Sequence, residues 1–328
     1  MKYLLTLILL SQTILFAADK TPKQRIAEFY AEMQEKHNFT KAELDNWFAG
    51  VQYNQKIIDI MNRPAEKVLT WQEYRNIFVK PDRIKQGAEF WSKHADILAN
   101  AENEFKVPAH LIVGLIGVET RYGRIMGSHD IFRALYTFAF HYPRRAKFFT
   151  NELQSFMVLA REQGWAVGEM KGSYAGAMGY GQFMPSSFQA YAVDFDKDGK
   201  IHLIDNVVDA IGSVANYIKS HRWQPDGPTV MSVSVSDEAA EKLLSKGMKP
   251  DRTLAELQKA GVEVPNDMPG DTKVSFFKLD EGENQYWIGF QNFYVVSRYN
   301  PRVFYTKAVL DLAAAIAEQR EVELQTGP

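Results

Sequence analysis

The stretch at residues 110–119 constrains the fold most, because its side chains are almost all apolar and it ends in an acid. It reads HLIVGLIGVE, so a helix formed here would be buried on nearly every side. Pro108 interrupts the preceding helical pattern, and proline is tolerated in a first helical turn. The sequence therefore predicts a core helix that begins at Pro108 and carries Glu119 at its end.

A carboxyl group at the end of a buried helix is a candidate general acid. Desolvation disfavours the charged form and raises the pKa, so a glutamate there can stay protonated near neutral pH. The alternative is that Thr120, Arg121 and Tyr122 begin an exposed helix end. In that case Glu119 would pair with Arg121 or with a more distant base.

The N-terminus has the pattern of a secretory signal peptide. Lys2 precedes a short apolar region that ends in Ala17 and Ala18, ahead of charged residues. This region is shorter than the roughly 20 apolar residues of a membrane-spanning helix, so an uncleaved anchor is the lesser alternative. We predict that residues 1–18 are removed on export.

Composition excludes some classes of protein. The 328 residues contain no cysteine, which fits export without disulfides and leaves no cysteine for a lipid anchor. The net charge is −2, and it is −3 once Lys2 is removed with the signal peptide, so nothing indicates a nucleic-acid partner. With 46% hydrophobic residues, a chain of this length can form two or three packed units.

Helical periodicity covers much of the first two thirds of the chain. Residues 22–106 favour short helices followed by a longer one at 84–105, in which Ile84, Trp91 and Leu98 recur on one face. Further helices are predicted at 131–142 and 146–161.

A glycine-rich stretch follows at residues 172–185, GSYAGAMGYGQFMP. Glycine lets the backbone approach a ligand or other backbone closely. The stretch has neither Gly-Lys-Ser/Thr nor a G-x-G-x-x-G motif in a strand-helix unit, which excludes a phosphate loop. We predict a tight loop that lines a cleft, with a purely structural turn as the alternative.

The next stretch, residues 194–201, matches the calcium loop of EF-hands. Acidic residues occupy positions 1, 3 and 5, with glycine at 6 and an aliphatic residue at 8. Position 12 is Asp205, whose side chain is shorter than the usual glutamate, so Asp209 could close the site instead. The alternative is an acidic turn whose aspartates cap helices.

The last third mixes strands and helices. Proline and glycine at 225–228 mark a boundary, and two short helices lie between the first two of the predicted strands. The predicted strands are at 229–236 and 272–279 and in a hairpin of 286–290 with 293–297, and a final helix covers 303–319.

Several motifs in fixed order resemble the lytic murein transglycosylase B family. They are GVETRYG at 117–123, YPRRA at 142–146, KGSYAGAMGYGQFMPSS at 171–187, DFDKDG at 194–199, DAIGSVANY at 209–217 and RYN at 298–300. The resemblance implies a mainly α (α+β) fold with a lysozyme-like catalytic core. The expected units are a helical domain at 19–106 with a C-terminal helix at 301–320, the core at 107–224 and a small mixed α/β domain at 225–300.

The resemblance also implies an activity. It is cleavage of the β-1,4 bond between N-acetylmuramic acid and N-acetylglucosamine in peptidoglycan, ending in a 1,6-anhydro ring. Glu119 would be the sole catalytic carboxyl, acting first as acid and then as base. Hydrolytic glycosidases mostly use two carboxylates, whereas the glycine-rich stretch offers only hydroxyl and amide groups.

The family's site residues carry over by motif. Ser173 and Gln182 would contact the substrate near the cleaved bond. The saccharide groove would be lined by Phe183, Tyr217, Tyr299, Asn300 and Tyr305, with core packing as the alternative for each aromatic. A structural Ca²⁺ would be bound by Asp194, Asp196, Asp198, the Lys200 carbonyl and Asp209, with the last ligand open.

Two rival hypotheses remain at this point. A hydrolytic muramidase would use Asp130 or another distant acid as a second carboxylate. A non-catalytic scaffold would bind peptidoglycan, or respond to Ca²⁺, without turnover. The expected partner is the peptidoglycan glycan strand in the periplasm, and possible partners among cell-wall synthesis or divisome proteins stay unassigned.

Overall fold

The computed structural model describes residues 20–63, 69–280 and 284–326, so the predicted signal peptide lies outside the described residues. Helices dominate, as the sequence predicts. The described helices and strands are α1 Pro22–His37, α2 Lys41–Phe48, α3 Gln55–Met61, α4 Trp71–Phe78, α5 Pro81–Lys93, α6 Ala95–Phe105, α7 Ala109–Thr120, β1 His129–Asp130, α8 Ile131–His141, α9 Ala146–Gln163, β2 Lys171–Gly172, α10 Pro185–Tyr191, α11 Val207–Ser220, β3 Val230–Val233, α12 Asp237–Glu241, β4 Arg252–Thr253, α13 Leu254–Lys259, β5 Lys273–Asp280, β6 Asn284–Gly289, α14 Gln291–Ser297 and α15 Val303–Thr326.

The first helices begin at local signals in the sequence. Thr21, Thr40 and Thr70 each accept a hydrogen bond from the backbone N–H three residues later, and the side chain at that position returns one. Such capping boxes satisfy backbone donors that a helix start would leave unpaired. These helix starts are therefore fixed by nearby residues and do not depend on the rest of the fold.

The single helix predicted at residues 84–105 is wrong, since the chain forms α5 and α6 with a break at His94. The backbone of His94 leaves the helical region at φ −117° and ψ 28°. Its N–H still bonds to the carbonyls of Phe90 and Trp91, which ends α5. No proline or glycine marks this break, so the side-chain pattern alone did not reveal it.

The predicted core helix is α7, and it lies against the last helix, α15. Ten of its twelve residues are buried. A Cβ added at Gly114 would lie 2.8 Å from the Cβ of Ala313 and 3.1 Å from the Val309 carbonyl oxygen. The missing side chain at Gly114 is what lets the two helices approach this closely.

One hydrophobic core joins the N-terminal helices, the helices α7 to α11 and α15. It contains Phe29 and Leu98 from the first part of the chain, Ile112 and Phe138 from the middle and Leu312 from the end. Many of the buried aromatic side chains belong to this cluster. The two expected units at 19–106 and 107–224 therefore share their interior.

Residues 230–290 form a smaller unit with a core of its own. Its antiparallel sheet has the order β3-β6-β5-β4, and Phe276, Tyr286 and Ile288 pack against the short helices α12 and α13. The predicted strand at 293–297 is wrong, because this segment is the helix α14. The buried Asn292 side chain fixes it by bonding to the backbone of Gln224 and Gly227.

A partly buried ion cluster connects α15 to α4 and to β6. Asp311 accepts hydrogen bonds from Arg75 at 2.9 Å and from Lys307 at 2.5 Å. The Lys307 ammonium also lies 4.3 Å from the ring centroid of Trp287 in β6. The cluster thus fixes the position of α15 along its axis.

The division of the chain into domains at residues 106, 224 and 300 stays a prediction. Among the described residues, no helix has the length and apolar character needed to cross a membrane.

Candidate active site

Glu119 lies on the last turn of α7, where the helix ends with Arg121 in the left-handed conformation at φ 52°. Burial raises the pKa of the Glu119 carboxyl from 4.5 to about 7. Tyr305 donates a hydrogen bond to its Oε1, which acts in the opposite direction by stabilising the charged form. A carboxyl with this pKa is partly protonated at neutral pH and can donate a proton.

The alternative pairing of Glu119 with Arg121 is wrong. The guanidinium of Arg121 points to α5, where it bonds to Asp82 at 2.6 Å and to Gln86 at 2.8 Å. Within the described part of the chain, no ion pair involving Glu119 forms. Burial therefore raises the pKa of this carboxyl, and no paired cation among the described residues lowers it.

Three tyrosines surround the carboxyl. Tyr305 lies on α15, Tyr299 between α14 and α15, and Tyr217 on α11. The pKa of each phenol is raised, mainly by burial and in part by the negative charge that Glu119 can carry. They therefore stay protonated and can act as hydrogen-bond donors.

Two of these hydroxyls hold backbone near the site. The Tyr299 hydroxyl donates to the carbonyl of Gly181 at 2.6 Å, and the Tyr217 hydroxyl donates to the carbonyl of Arg298 at 2.7 Å. The ring of Phe183 lies 5.7 Å from that of Tyr217 and is 2% exposed. Phe183 and Tyr217 belong to the core, and their contact with a sugar stays a prediction.

Thr120 connects the end of α7 to the glycine-rich loop. Its hydroxyl donates to the carbonyl of Tyr180 at 2.9 Å and accepts from the N–H of Gly123 at 3.0 Å. Gly123 has φ +83°, and a Cβ there would lie 2.1 Å from the Tyr180 ring. The two motifs around Glu119 and Gly181 are thus brought together.

Ser173 and Gln182 lie within the glycine-rich loop. The Ser173 hydroxyl oxygen accepts from the N–H groups of Ala175 and Ala177, which sets the turn. Gln182 has φ 48°, and its side-chain amide donates to the carbonyls of Gly179 and Met126. Both side chains are half-buried, as are Tyr299 and Asn300.

Asp130, the proposed second carboxylate of a hydrolytic enzyme, has a structural task. Its Oδ1 accepts from the N–H of Arg133 at 2.9 Å and caps α8. Its Oδ2 lies 3.9 Å from the ammonium of Lys171. No contact in the described residues joins Asp130 to Glu119.

The acidic loop brings three carboxylates together. One oxygen each from Asp194, Asp196 and Asp209 lies within 4.8 Å of the others. Asp209 is fully buried and accepts from the N–H groups of Phe195 and His202, both at 2.8 Å. Burial raises the pKa of Asp209, and the negative charge of Asp196 acts in the same direction.

The other predicted ligands have different contacts. Asp198 accepts from the N–H of Lys200 at 2.8 Å, and Gly199 makes the sharp turn at φ +90°. Asn206 caps α11 with its oxygen and donates its amide to Asp196 at 2.7 Å. Three carboxylates form a hard oxygen donor set, which suits Ca²⁺ or Mg²⁺.

The pattern of the transglycosylase SLT domain family matches residues 21–314. The chain belongs to this transglycosylase family.

Individual relatives agree with this assignment. The chain is 39% identical over 303 residues to the membrane-bound lytic murein transglycosylase B of Escherichia coli strain K12, covering 89% of this chain and 82% of the relative. The crystal structure of the soluble lytic transglycosylase SltB1 from Pseudomonas aeruginosa is 46% identical, with a TM-score of 0.85 over 90% of this chain and 99% of that one. The Escherichia coli lytic transglycosylase Slt35 in complex with calcium is 39% identical, with a TM-score of 0.81 over 90% and 94% of the two chains.

These matches confirm the family resemblance drawn from the motifs and the mainly helical, lysozyme-like fold of the transglycosylase. Sequence reasoning missed the role of Thr120 and considered the residue only in the alternative of an exposed helix end, although Thr120 is 1% exposed. The available signal was its position inside the GVETRYG motif, directly after the acid.

Proposed function

We propose that this protein is a lytic transglycosylase that cleaves the bond between N-acetylmuramic acid and N-acetylglucosamine in peptidoglycan. The product ends in a 1,6-anhydro ring, and Glu119 is the only catalytic carboxyl. The observation that carries the proposal is the Glu119 carboxyl at the end of the core helix α7, which accepts a hydrogen bond from Tyr305 and whose pKa burial raises to about 7. Membership in the transglycosylase family supports the reaction class.

Glu119 acts twice in this reaction. Its protonated carboxyl donates a proton to the leaving glycosidic oxygen as the bond breaks. The resulting carboxylate then takes the proton of the sugar's own 6-hydroxyl, whose oxygen closes the anhydro ring. Glu119 ends the cycle protonated. The reaction therefore consumes no water and requires no second carboxylate.

The tyrosines assist both steps. The hydrogen bond from Tyr305 holds the carboxyl in one orientation and stabilises the carboxylate that exists between the two proton transfers. A protonated phenol can do this without adding a charge. The substrate's 2-acetamido group and uncharged polar groups then stabilise the oxocarbenium-like centre.

Ser173 and Gln182 are proposed to contact the sugar near the cleaved bond. The amide of Gln182 is held by Gly179 and Met126 through its nitrogen, so its carbonyl oxygen is oriented by the loop. Tyr299, Asn300 and Tyr305 are proposed to line the groove, together with Phe183 and Tyr217 behind them. Half-burial of Tyr299 and Asn300 is compatible with a ligand contact.

Mass spectrometry of digested peptidoglycan tests the reaction. We expect products with the anhydro mass, 18 Da below that of the hydrolysed ends. Products with reducing ends alone would identify a hydrolytic muramidase. Glu119→Gln preserves the shape of the side chain while removing the acid, so lysis equal to wild type would exclude Glu119 from the mechanism, and no lysis by wild type would indicate a scaffold.

We also propose a structural Ca²⁺ at the acidic loop, held by Asp194, Asp196 and Asp209, with Asp198 and the Lys200 carbonyl completing the ligands. The cluster of carboxylate oxygens supports this, as does the calcium complex of the related Escherichia coli enzyme. When bound, the ion would offset two of the three negative charges of the carboxylates and connect the loop to the first turn of α11. Its role is in stability and not in the proton transfers.

The proposed location is the periplasm, where the glycan strands are. The signal-like pattern of residues 1–18 supports export. The partner is the peptidoglycan glycan strand itself.

A further inference from the structure

A small polar pocket lies beside the glycine-rich loop and is not used by the mechanism above. Its volume is about 240 Å³, and its polar lining includes Ser128, His129, Asp130, Arg133 and Lys171, with Asn54 at its edge. Two basic side chains, Arg133 and Lys171, line the pocket together with one acidic side chain, Asp130. The pocket is therefore positive on a protein whose net charge is −2.

Backbone contacts fix this pocket next to a residue of the proposed active site. The β1 and β2 strands pair His129 with Gly172 and Asp130 with Lys171. Ser173 follows directly, and a Cβ added at Gly127 would lie 2.1 Å from the Gly172 carbonyl oxygen. A sugar bound near Ser173 would thus have its substituents beside the pocket.

Arg133 is held in place but keeps donors available. Its Nε donates to the carbonyl of Gln52 at 2.9 Å, and its backbone N–H is capped by Asp130. Thr137, one turn later, donates to the Arg133 carbonyl and accepts from the N–H of Asn54. Among the described residues, no hydrogen bond involves the two terminal nitrogens of Arg133.

Lys171 is held in a similar way. Its ammonium donates to the carbonyl of Gly168 at 2.7 Å and lies 3.9 Å from Asp130 Oδ2. Its side chain is 51% exposed, so one or two further donors of the ammonium face solvent. A planar guanidinium with free terminal nitrogens and a nearby ammonium together form a suitable site for a carboxylate.

We propose that this pocket binds a carboxylate of the peptide attached to the muramic acid, with Arg133 and Lys171 as its ligands. The inference rests on the proposed function, because it takes peptidoglycan as the substrate. The enzyme would then prefer glycan strands whose peptides carry free carboxylates. The other source of a carboxylate, the lactyl group of peptide-free muramic acid, is distinguished by the experiment below.

The test compares three soluble glycan substrates. The first carries peptides with free carboxylates, the second the same peptides with their carboxylates amidated, and the third no peptide. For Arg133→Gln we expect KM on the first substrate to rise about ten-fold with kcat unchanged, as for loss of a hydrogen bond to a charged group. On the amidated substrate, KM of the variant should equal that of wild type, because the interaction is already absent.

Further variants separate binding from folding. Lys171→Gln should show the same selective rise in KM, and Arg133→Lys, which keeps the charge, should restore part of the affinity. Lys56→Gln removes an exposed cation of α3 that does not line the pocket, and it should leave all three KM values unchanged. Thermal unfolding of each variant shows that the fold is retained.

Two outcomes would overturn the inference. An equal rise in KM on the free and amidated substrates, or no rise on either, would exclude a peptide carboxylate as the ligand. A rise on the peptide-free substrate would assign the pocket to the lactyl carboxylate instead. Failure of the proposed function is distinguishable, since wild type would then release no anhydro product from any of the three substrates.

Discussion

Tyr305 donates a hydrogen bond to the carboxyl of Glu119, although 186 positions separate the two residues in the chain. Glu119 lies at the end of α7 and Tyr305 in the first turn of α15. The close packing of these helices at Gly114 and Ala313 sets the distance between them. The acidity of the site is thus a property of a helix pair and not of one motif.

The pH dependence of activity should reflect Glu119 alone. Because the proton donor must be protonated in the free enzyme, we expect kcat/KM to fall above a pH of about 7. Tyr305→Phe removes the hydrogen bond that lowers the pKa, so the descending limb should move to higher pH. A pH profile of anhydro-product release measures both.

The matched control for this profile is Arg121→Gln. Its side chain pairs with Asp82 and Gln86 and does not contact Glu119, so the limb should stay in place. A downward shift in Tyr305→Phe would contradict the role given to the hydroxyl. A shift of the same size in Arg121→Gln would mean that a general electrostatic effect sets the pKa.

Glu119→Gln should abolish anhydro-product release and yet stabilise the protein at high pH. The pKa of Glu119 is raised in the folded state, so its favourable contribution is complete below the unfolded pKa and is lost as pH rises through about 7. Above that pH the ionised carboxyl lowers the free energy of unfolding of wild type by at most about 3 kcal/mol. Glutamine does not ionise, so the variant has no such loss. Thermal unfolding of both proteins at pH 5 and pH 8 measures this.

The stability difference between Glu119→Gln and wild type should be small at pH 5 and larger at pH 8. A difference that is independent of pH would show that Glu119 is ionised throughout this range. Retained lysis in the variant, at any pH, would contradict the catalytic assignment.

Calcium should stabilise the protein through Asp209. If Ca²⁺ is present at 100 times its dissociation constant, binding adds about 2.7 kcal/mol, which raises Tm by about 5 °C in a chain of this size. Chelator should remove that increase. Asp209→Asn should abolish the response to calcium, since its carboxylate belongs to the cluster with Asp194 and Asp196.

Asp205→Asn is the informative comparison for this site. Asp205 is exposed and lies outside the cluster, so the variant should keep the calcium-dependent rise in Tm. Loss of the response in Asp205→Asn, with retention in Asp209→Asn, would assign the closing ligand to Asp205. No response in wild type would exclude a structural calcium site.

Gly114→Ala should destabilise the protein by about 1–3 kcal/mol, because the added methyl group meets the backbone and side chain of Ala313. Separation of α7 from α15 should also move Tyr305 away from Glu119 and lower activity. Denaturant unfolding and product release measure the two effects. Gly247→Ala is the control, since a Cβ there meets no atom within 4 Å and the residue has no positive φ.

The sequence predicted the elements whose signals are local. The apolar run of α7 and the alternation in β5 are both visible in short windows. The segment at 293–297 was misread as a strand because Val295 and Val296 favour strands on their own. Its helix depends on burial of Phe293 and on the contacts of Asn292 with residues 65 or more positions away.

The candidate site also has parts that local sequence motifs reveal and parts that depend on contacts between distant residues. The acid and the glycine-rich loop are identifiable as motifs, and burial explains the pKa once α7 is known to be a core helix. That Tyr299 and Tyr305 belong to the site came only from the family resemblance, which placed them in the saccharide groove, and the hydrogen bond from Tyr305 to Glu119 was not predicted. Contacts between distant segments leave no periodic pattern, and the role of Thr120 was missed for that reason.

The late position of α15 in the chain, after the other helices of the site, has a consequence for biosynthesis. A copy that stops before residue 303 has Glu119 but lacks both its hydroxyl partner and the helix that covers Gly114. We expect such truncated chains to release no anhydro product, even where their earlier segments fold. Premature termination anywhere before α15 would then yield an inactive protein.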